Sequence, residues 1–262
     1  MNSPAEIAQN YVGIGKKKVE TPILKLFILG IMAGIFIGIG AIAYQTATAT
    51  IGGSLGKLVG ACMFPAGLAL VLIAGSELFT GNCLLVIPLL EKEVKFSGVL
   101  RNWVFVYLGN FAGSIILALL VVYSHTPSQV DGALLDTMMT VASGKVALSF
   151  GDALLRGIIC NMMVCLAVWM SFAGKTVPSK IIGLYFPIMI FVLGGFEHSV
   201  ANMYYLAAGI FANGVYGVGN AAVNWGAALV NNLLPVTIGN IIGGALIGIT
   251  YWFLYLRGEK KN

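Results

Sequence analysis

Charge is scarce in this sequence: only 10% of its 262 residues are Asp, Glu, Lys or Arg, against 58% hydrophobic. A soluble domain with so few charges cannot cover its surface, so lipid is the solvent this composition fits. Histidine is rarer still, at two residues, and the four cysteines (Cys62, Cys83, Cys160 and Cys165) form no Cys-x-x-Cys pair. All four lie in apolar stretches, which argues against a disulfide framework or a zinc site and for reduced thiols packed as small apolar groups. No asparagine is followed by proline, so the Asn-Pro-Ala motif of water and glycerol channels is missing. His-Glu-x-x-His, Gly-x-Ser-Gly and P-loop patterns are also missing, which removes the common membrane-enzyme and ATP-driven readings and any need for a cofactor. Alternating strand-like segments are absent, so the apolar stretches read as helices and not as a β-barrel.

Six such stretches are present, at 26–48, 58–90, 102–123, 154–173, 181–213 and 236–257. Each is long enough to cross about 30 Å of hydrocarbon, so residues 1–262 are expected to form one all-α domain of six transmembrane helices. The first 25 residues lack a cleaved-signal pattern. Ser3-Pro4-Ala5-Glu6 reads as a capping box, and Ile7, Tyr11 and Ile14 share one helical face. That segment is expected to be a short helix on the membrane surface or an ordinary solvated tail. The net charge of +5 is distributed for topology and not for nucleic acid. Lys16, Lys17, Lys18, Lys25, Lys92, Lys95, Arg101, Lys175, Lys180, Arg257, Lys260 and Lys261 fall on one side, leaving Lys57, Lys145 and Arg156 on the other. The positive-inside rule then puts both termini in the cytoplasm and the chain in the cell membrane.

The second and fifth stretches are too long. Thirty-three residues of unbroken helix would reach about 50 Å, and each has glycine and polar residues where the bilayer centre should be. The interruptions are Gly75–Asn82 and Gly194–Asn202, and they align: Gly75, Glu77 and Asn82 match Gly195, Glu197 and Asn202 at an offset of 120. Gly109-Asn110-x-x-Gly113 likewise matches Gly239-Asn240-x-x-Gly243. A repeat of three spans must enter the membrane upside down the second time, so 26–123 and 154–257 are expected to be inverted copies with a central site at the paired breaks. Gly30, Gly34 and Gly38, and Gly244 and Gly248, stand at four-residue spacing. Such faces let helices approach closely, within a protomer or between protomers.

Ionisable groups inside a span are rare and costly, so each is a candidate. Glu77 and Glu197, with Asn82 and Asn202 after them, fit capping or scaffold bonding of the backbone groups that a helix break frees, in preference to carrying an anion they would repel. His198 sits in the second break, where the first has Leu78. Imidazole exchanges protons near neutral pH, so His198 could neutralise a weak-acid anion before the driest part of a path, or simply be a hydrogen-bonded core histidine. Lys145, ahead of the fourth span, is either a cation at a pore mouth or a solvated partner of Asp136 or Asp152.

At these motifs the chain resembles the formate/nitrite transporter family. Leu72–Gly81 is similar to that family's first signature, Gly157–Ala167 to its second, and Gly195–Asn202 to its fifth-span break. The resemblance covers all six spans. It implies an aquaporin-like protomer in a homopentamer, each subunit with its own pore for small monovalent anions such as formate, nitrite or hydrosulfide, with the hydrosulfide branch the nearest. It implies a cytoplasmic-side slit of Leu78, Phe191 and Val164, and an outer one of Phe64 and Leu68. His198, Thr80 and Asn161 would line the chamber between them, Lys145 would belong to an outer funnel, and the loop from Phe79 through Gly81 and Asn82 to Cys83 would gate the path. The rival expectation is a channel for water or glycerol on the same scaffold.

Overall fold

The computed structural model describes residues 1–258. Lys260 and Lys261, counted above for topology, lie outside the described residues. Helix is the only regular structure among those residues. We number α1 (Pro4–Glu20), α2 (Ile23–Ile51), α3 (Gly53–Gly75), α4 (Gly81–Leu90), α5 (Phe96–Tyr123), α6 (Ala133–Val146), α7 (Phe150–Ala173), α8 (Val177–Leu193), α9 (Ser199–Val215) and α10 (Trp225–Tyr255). Five of them (α2, α3, α5, α7 and α10) are long and apolar enough to cross a membrane.

Both long stretches break where the sequence places the break. Helix α3 stops at Gly75 and α8 at Leu193, and Gly75 (φ +89°) and Gly195 (φ +70°) take the left-handed turn that only glycine adopts at no steric cost. The chain restarts as α4 and α9.

Close packing of α2 on α5 and of α7 on α10 forms the frame around these breaks. A Cβ on Gly113 would lie 2.0 Å from the Ile31 carbonyl oxygen, and one on Gly243 would lie 2.1 Å from that of Ile158. The spaced glycines of α2 and α10 thus serve contacts within the protomer: Gly34 lies against the Asn110 backbone, and Gly244 against Cys83 and Asn161. The outward faces stay apolar, as with Leu108 and Leu120 on α5, at 49% and 64% exposed. That pattern suits lipid or a neighbouring protein and not water.

Two elements differ from expectation. The capping box forms, with Ser3 and Glu6 exchanging bonds and Pro4 at the helix start. Backbone bonding to Ser3 holds the Glu6 carboxyl below its usual range. However, α1 turns its apolar face onto the protein and not onto lipid: Ile7 and Tyr11 are buried, and the Tyr11 ring meets Phe172 edge-on at 5.9 Å. The stretch before the fourth span holds helix α6, which buries Leu134, Met138, Ala142 and Val146 at four-residue intervals. Replacing Gly113 by leucine is expected to abolish recovery of folded protein, whereas Gly13→Ala, with open space around it, should leave the thermal unfolding midpoint within about 2 °C. Equal yields of both variants from detergent extraction would contradict the close α2–α5 contact.

Candidate functional site

Each break is held by one asparagine. Asn110 on α5 accepts from the Phe79 N–H at 3.0 Å and donates to the carbonyls of Gly30 (2.8 Å) and Glu77 (2.9 Å). Asn240 on α10 accepts from the Ser199 N–H at 2.9 Å and donates to Gly157 (2.8 Å) and Glu197 (2.9 Å). The N–H of Glu77 reaches the Leu29 carbonyl at 3.2 Å, and that of Glu197 reaches Arg156 at 3.3 Å. Backbone groups that an interrupted helix leaves open inside an apolar medium are thereby satisfied.

Of the two roles expected of the glutamates, capping and scaffold bonding, they take the second. Glu77 takes Lys18 of α1 on both oxygens at 2.8 Å and the Asn82 amide at 2.7 Å, and Asn82 also donates to Asn102 at 2.8 Å. Glu197 takes Lys145 of α6 at 3.0 and 3.1 Å and the Asn202 amide at 2.6 Å, and Asn202 donates to Asn232 at 2.7 Å. Asn102 closes the first ring on the Lys18 carbonyl at 3.1 Å, and Asn232 closes the second on the Lys145 carbonyl at 3.0 Å. The carboxylates are therefore committed to side-chain cations and amides, because Asn110 and Asn240 already hold the backbone. Asn82 and Asn202 bridge within the rings and cap nothing. Lys145 is not a partner of Asp136 or Asp152. It sits on a helix, its side chain 13% exposed, paired with Glu197 and 5.3 Å from the centre of the Tyr205 ring.

Where the breaks meet, His198 Nε2 lies 2.9 Å from Thr80 Oγ1. The Nδ1 of the same ring accepts the Ala201 N–H at 3.0 Å, capping α9, so in this arrangement the ring proton belongs on Nε2 and is donated to Thr80. Thr80 keeps its own hydroxyl proton for another acceptor. Asn161 donates to the Thr80 carbonyl at 3.1 Å and to that of Asn240 at 2.6 Å, tying the centre to the clamp of the second break. Its Oδ1 is buried without a partner.

Two cavities lie at the breaks. One of about 90 Å³ has His198, Phe64, Phe191, Tyr205, Lys145 and Glu197 on its walls. The other, of about 50 Å³, is bounded by Leu68, Val71, Leu78, Gly81, Asn82 and Lys18. The residues expected at the constrictions divide differently between these two cavities. Phe191 stands with Phe64, ring centres 5.5 Å apart, while Leu78 shares its cavity with Leu68. Val71, which stands at the 120-residue offset from Phe191, lines the Lys18 cavity, whereas Phe191 lines the Lys145 cavity. Val164 is buried on α7 and lines neither. Phe79 points away from both, onto Tyr107 (ring centres 4.9 Å apart) and Trp103 (6.3 Å). Sequence reasoning gave Lys18 only a role in topology and missed Asn102 and Asn232. Position could have found them, since Asn102 and Asn232 share the 130-residue offset of Asn110 and Asn240.

Such an arrangement of broken apolar helices, half-buried lysines and a hydrogen-bonding centre is that of a membrane channel or transporter and not of an enzyme. The family model described as formate/nitrite transporter matches residues 5–253. The formate channel FocA of Escherichia coli K12 is 39% identical, over 99% of this chain and 96% of its own. A probable formate transporter of Methanothermobacter thermautotrophicus is 38% identical, over 97% of each chain. A solved pentameric formate channel with formate bound superposes with a TM-score of 0.79 at 34% identity, covering 90% of this chain and 98% of that one. The chain belongs to the formate/nitrite transporter family, whose members are membrane channels and transporters.

Removing one partner of a buried ion pair costs about 3–5 kcal/mol. Lys18→Met and Lys145→Met should therefore each lower the thermal midpoint of the detergent-purified protein by several degrees. The paired change Lys18→Met with Glu77→Gln should recover part of the loss. If Lys18→Met alone left the midpoint unchanged, the Lys18 ring would carry no stability.

Proposed function

We propose that this chain is a pore for formate and kindred small weak-acid anions, built as two inverted copies around the Thr80–His198 pair. The observation that carries this reading is the pair of cavities, one walled by Lys18, Leu68 and Leu78 and the other by Lys145, Phe64, Phe191 and His198, whose ring meets Thr80. An anion entering from either side meets a cation whose charge its own glutamate only partly offsets, in a cavity where few waters screen it. It then loses water between Leu68 and Leu78, or between Phe64 and Phe191, which act as dewetted barriers to larger or strongly hydrated solutes. At the centre the Thr80 hydroxyl and the His198 Nε2–H are the donors that replace its lost hydration.

Donation of hydrogen bonds suits His198 better than release of a proton. An imidazolium would need its second proton on Nδ1, where the Ala201 N–H already points, and the cap of α9 would be lost. The names of the relatives support formate and give no support to the lean towards hydrosulfide. The solved pentamer supports a homopentamer with a pore in each subunit. The asymmetry of basic residues supports both termini lying in the cytoplasm. The lysine at each vestibule extends the repeat to four elements, so that α1 corresponds to α6.

Flux into liposomes carrying the purified protein tests this reading. Formate should pass rapidly and glycerol should be excluded. Thr80→Val and His198→Asn should each cut formate flux at least about tenfold, the worth of one hydrogen bond to a charged group. His198→Asn should keep the pH dependence of what remains, because asparagine can still cap α9. A pH profile flattened in His198→Asn would show that the ring passes a proton instead. Glycerol passage without formate passage would leave a neutral-solute channel.

The barriers are tested separately. Phe191→Ala should raise leakage of glycerol or larger anions, and Leu78→Ala should do so less, since Leu68 and Val71 remain beside it. Unchanged selectivity in both variants would remove these residues from the constrictions.

A further inference from the structure

A third cavity, of about 440 Å³, lies outside the Thr80–His198 centre. Asn10, Ile14 and Lys17 of α1 form one wall, and Phe172 and Gly174 at the end of α7 and Lys180 near the start of α8 form the other. Asn2 fastens the two walls, donating from its side chain to the Phe172 carbonyl and from its backbone to that of Ala173, both at 2.9 Å.

The charges here are uncompensated. Of the three consecutive lysines of α1, Lys16 pairs with Glu93 at 3.6 Å and Lys18 with Glu77 at 2.8 Å. Lys17 and Lys180 have no carboxylate partner among the described residues. Glu6, the acid at the start of α1, is taken by the Ser3 N–H at 2.6 Å. Two ammonium groups therefore face one cavity from different helices with no anion between them. The amino-terminal end of the 17-residue α8 adds positive potential on the same side. A bare oxyanion would satisfy the lysines and leave most of the volume empty, while Ile14 and Phe172 offer an apolar surface beside them.

We propose that this cavity binds a phosphate-bearing ligand, its phosphate on Lys17 and Lys180 and its carbon portion against Ile14 and Phe172. Both the headgroup of an anionic phospholipid and a soluble phosphomonoester present that chemistry. Phe172 also borders the Lys18 cavity. A ligand in this site therefore touches the same ring that walls the pore-side cavity.

The test is the thermal unfolding midpoint of the full chain in neutral detergent. It is titrated with glycerol 3-phosphate and, separately, with phosphatidylglycerol in mixed micelles at constant ionic strength. A ligand that binds the folded state raises the midpoint saturably. Stabilisation by phosphatidylglycerol alone assigns the site to lipid, and stabilisation by glycerol 3-phosphate assigns it to a soluble ligand. Lys17→Gln and Lys180→Gln should each weaken the apparent affinity about tenfold, a typical loss for one charge-assisted hydrogen bond. Lys17→Arg and Lys180→Arg should retain binding, and Lys25→Gln should not change it. No saturable shift with either probe would overturn the proposal, as would shifts of unaltered affinity in the two glutamine variants. Since the arginine variants keep the charge, their behaviour separates loss of the site from loss of the fold.

Discussion

Two asparagine side chains, Asn110 and Asn240, make the rest of this structure possible. A helix interrupted within an apolar medium leaves N–H and C=O groups that water cannot reach, each costing several kcal/mol if left open. Each asparagine bonds one freed N–H and two carbonyls, one of them on the neighbouring helix. It can do so because glycines at the α2–α5 and α7–α10 crossings bring the backbones within reach. Small residues, close helices, satisfied breaks and a central pair follow from one another in that order.

With the backbone settled, the glutamates are free to hold lysines, and the electrostatics of the two cavities follows. A lone buried lysine would pay a large desolvation cost or lose its proton. A fully compensated one would exert little pull on an anion. The rings at Glu77 and Glu197 lie between these limits: the carboxylate is shared with an amide that is itself held, so each lysine is fixed in place beside its cavity. The two rings are not identical. Lys18 also donates to Asn82 Oδ1 at 3.1 Å, whereas Asn202 Oδ1 is buried without a partner and Lys145 rests against Tyr205 instead.

Much of this was legible in the sequence, for physical reasons that can be named. Apolar runs of membrane length are a strong signal, and α2, α5, α7 and α10 begin and end within about a dozen residues of where the runs placed them. The breaks were legible because a carboxylate flanked by glycine is too costly in lipid to stand in the middle of an unbroken apolar helix. Helix α6 was missed: its stripe of Leu134, Met138, Ala142 and Val146 is only four positions long and opens on glycine, without a polar cap. The constrictions rested on the resemblance alone, because depth is not encoded in sequence: Phe64 and Leu68 are one turn apart on α3, yet they line different cavities. Lys18 escaped notice because a lysine in a basic run reads as a topology signal, and only the fold shows that it turns inward to Glu77.

The clamps themselves can be observed by hydrogen exchange. Phe79 and Ser199 carry the amide protons that Asn110 and Asn240 accept, Phe79 outside any helix and Ser199 as the first residue of α9, where no intrahelical acceptor reaches it. The account predicts that both exchange as slowly as the core of α5, that Asn110→Ala releases Phe79 alone, and that Asn240→Ala releases Ser199 alone. Rapid exchange at both sites in the unaltered protein, or protection indifferent to either substitution, would contradict it.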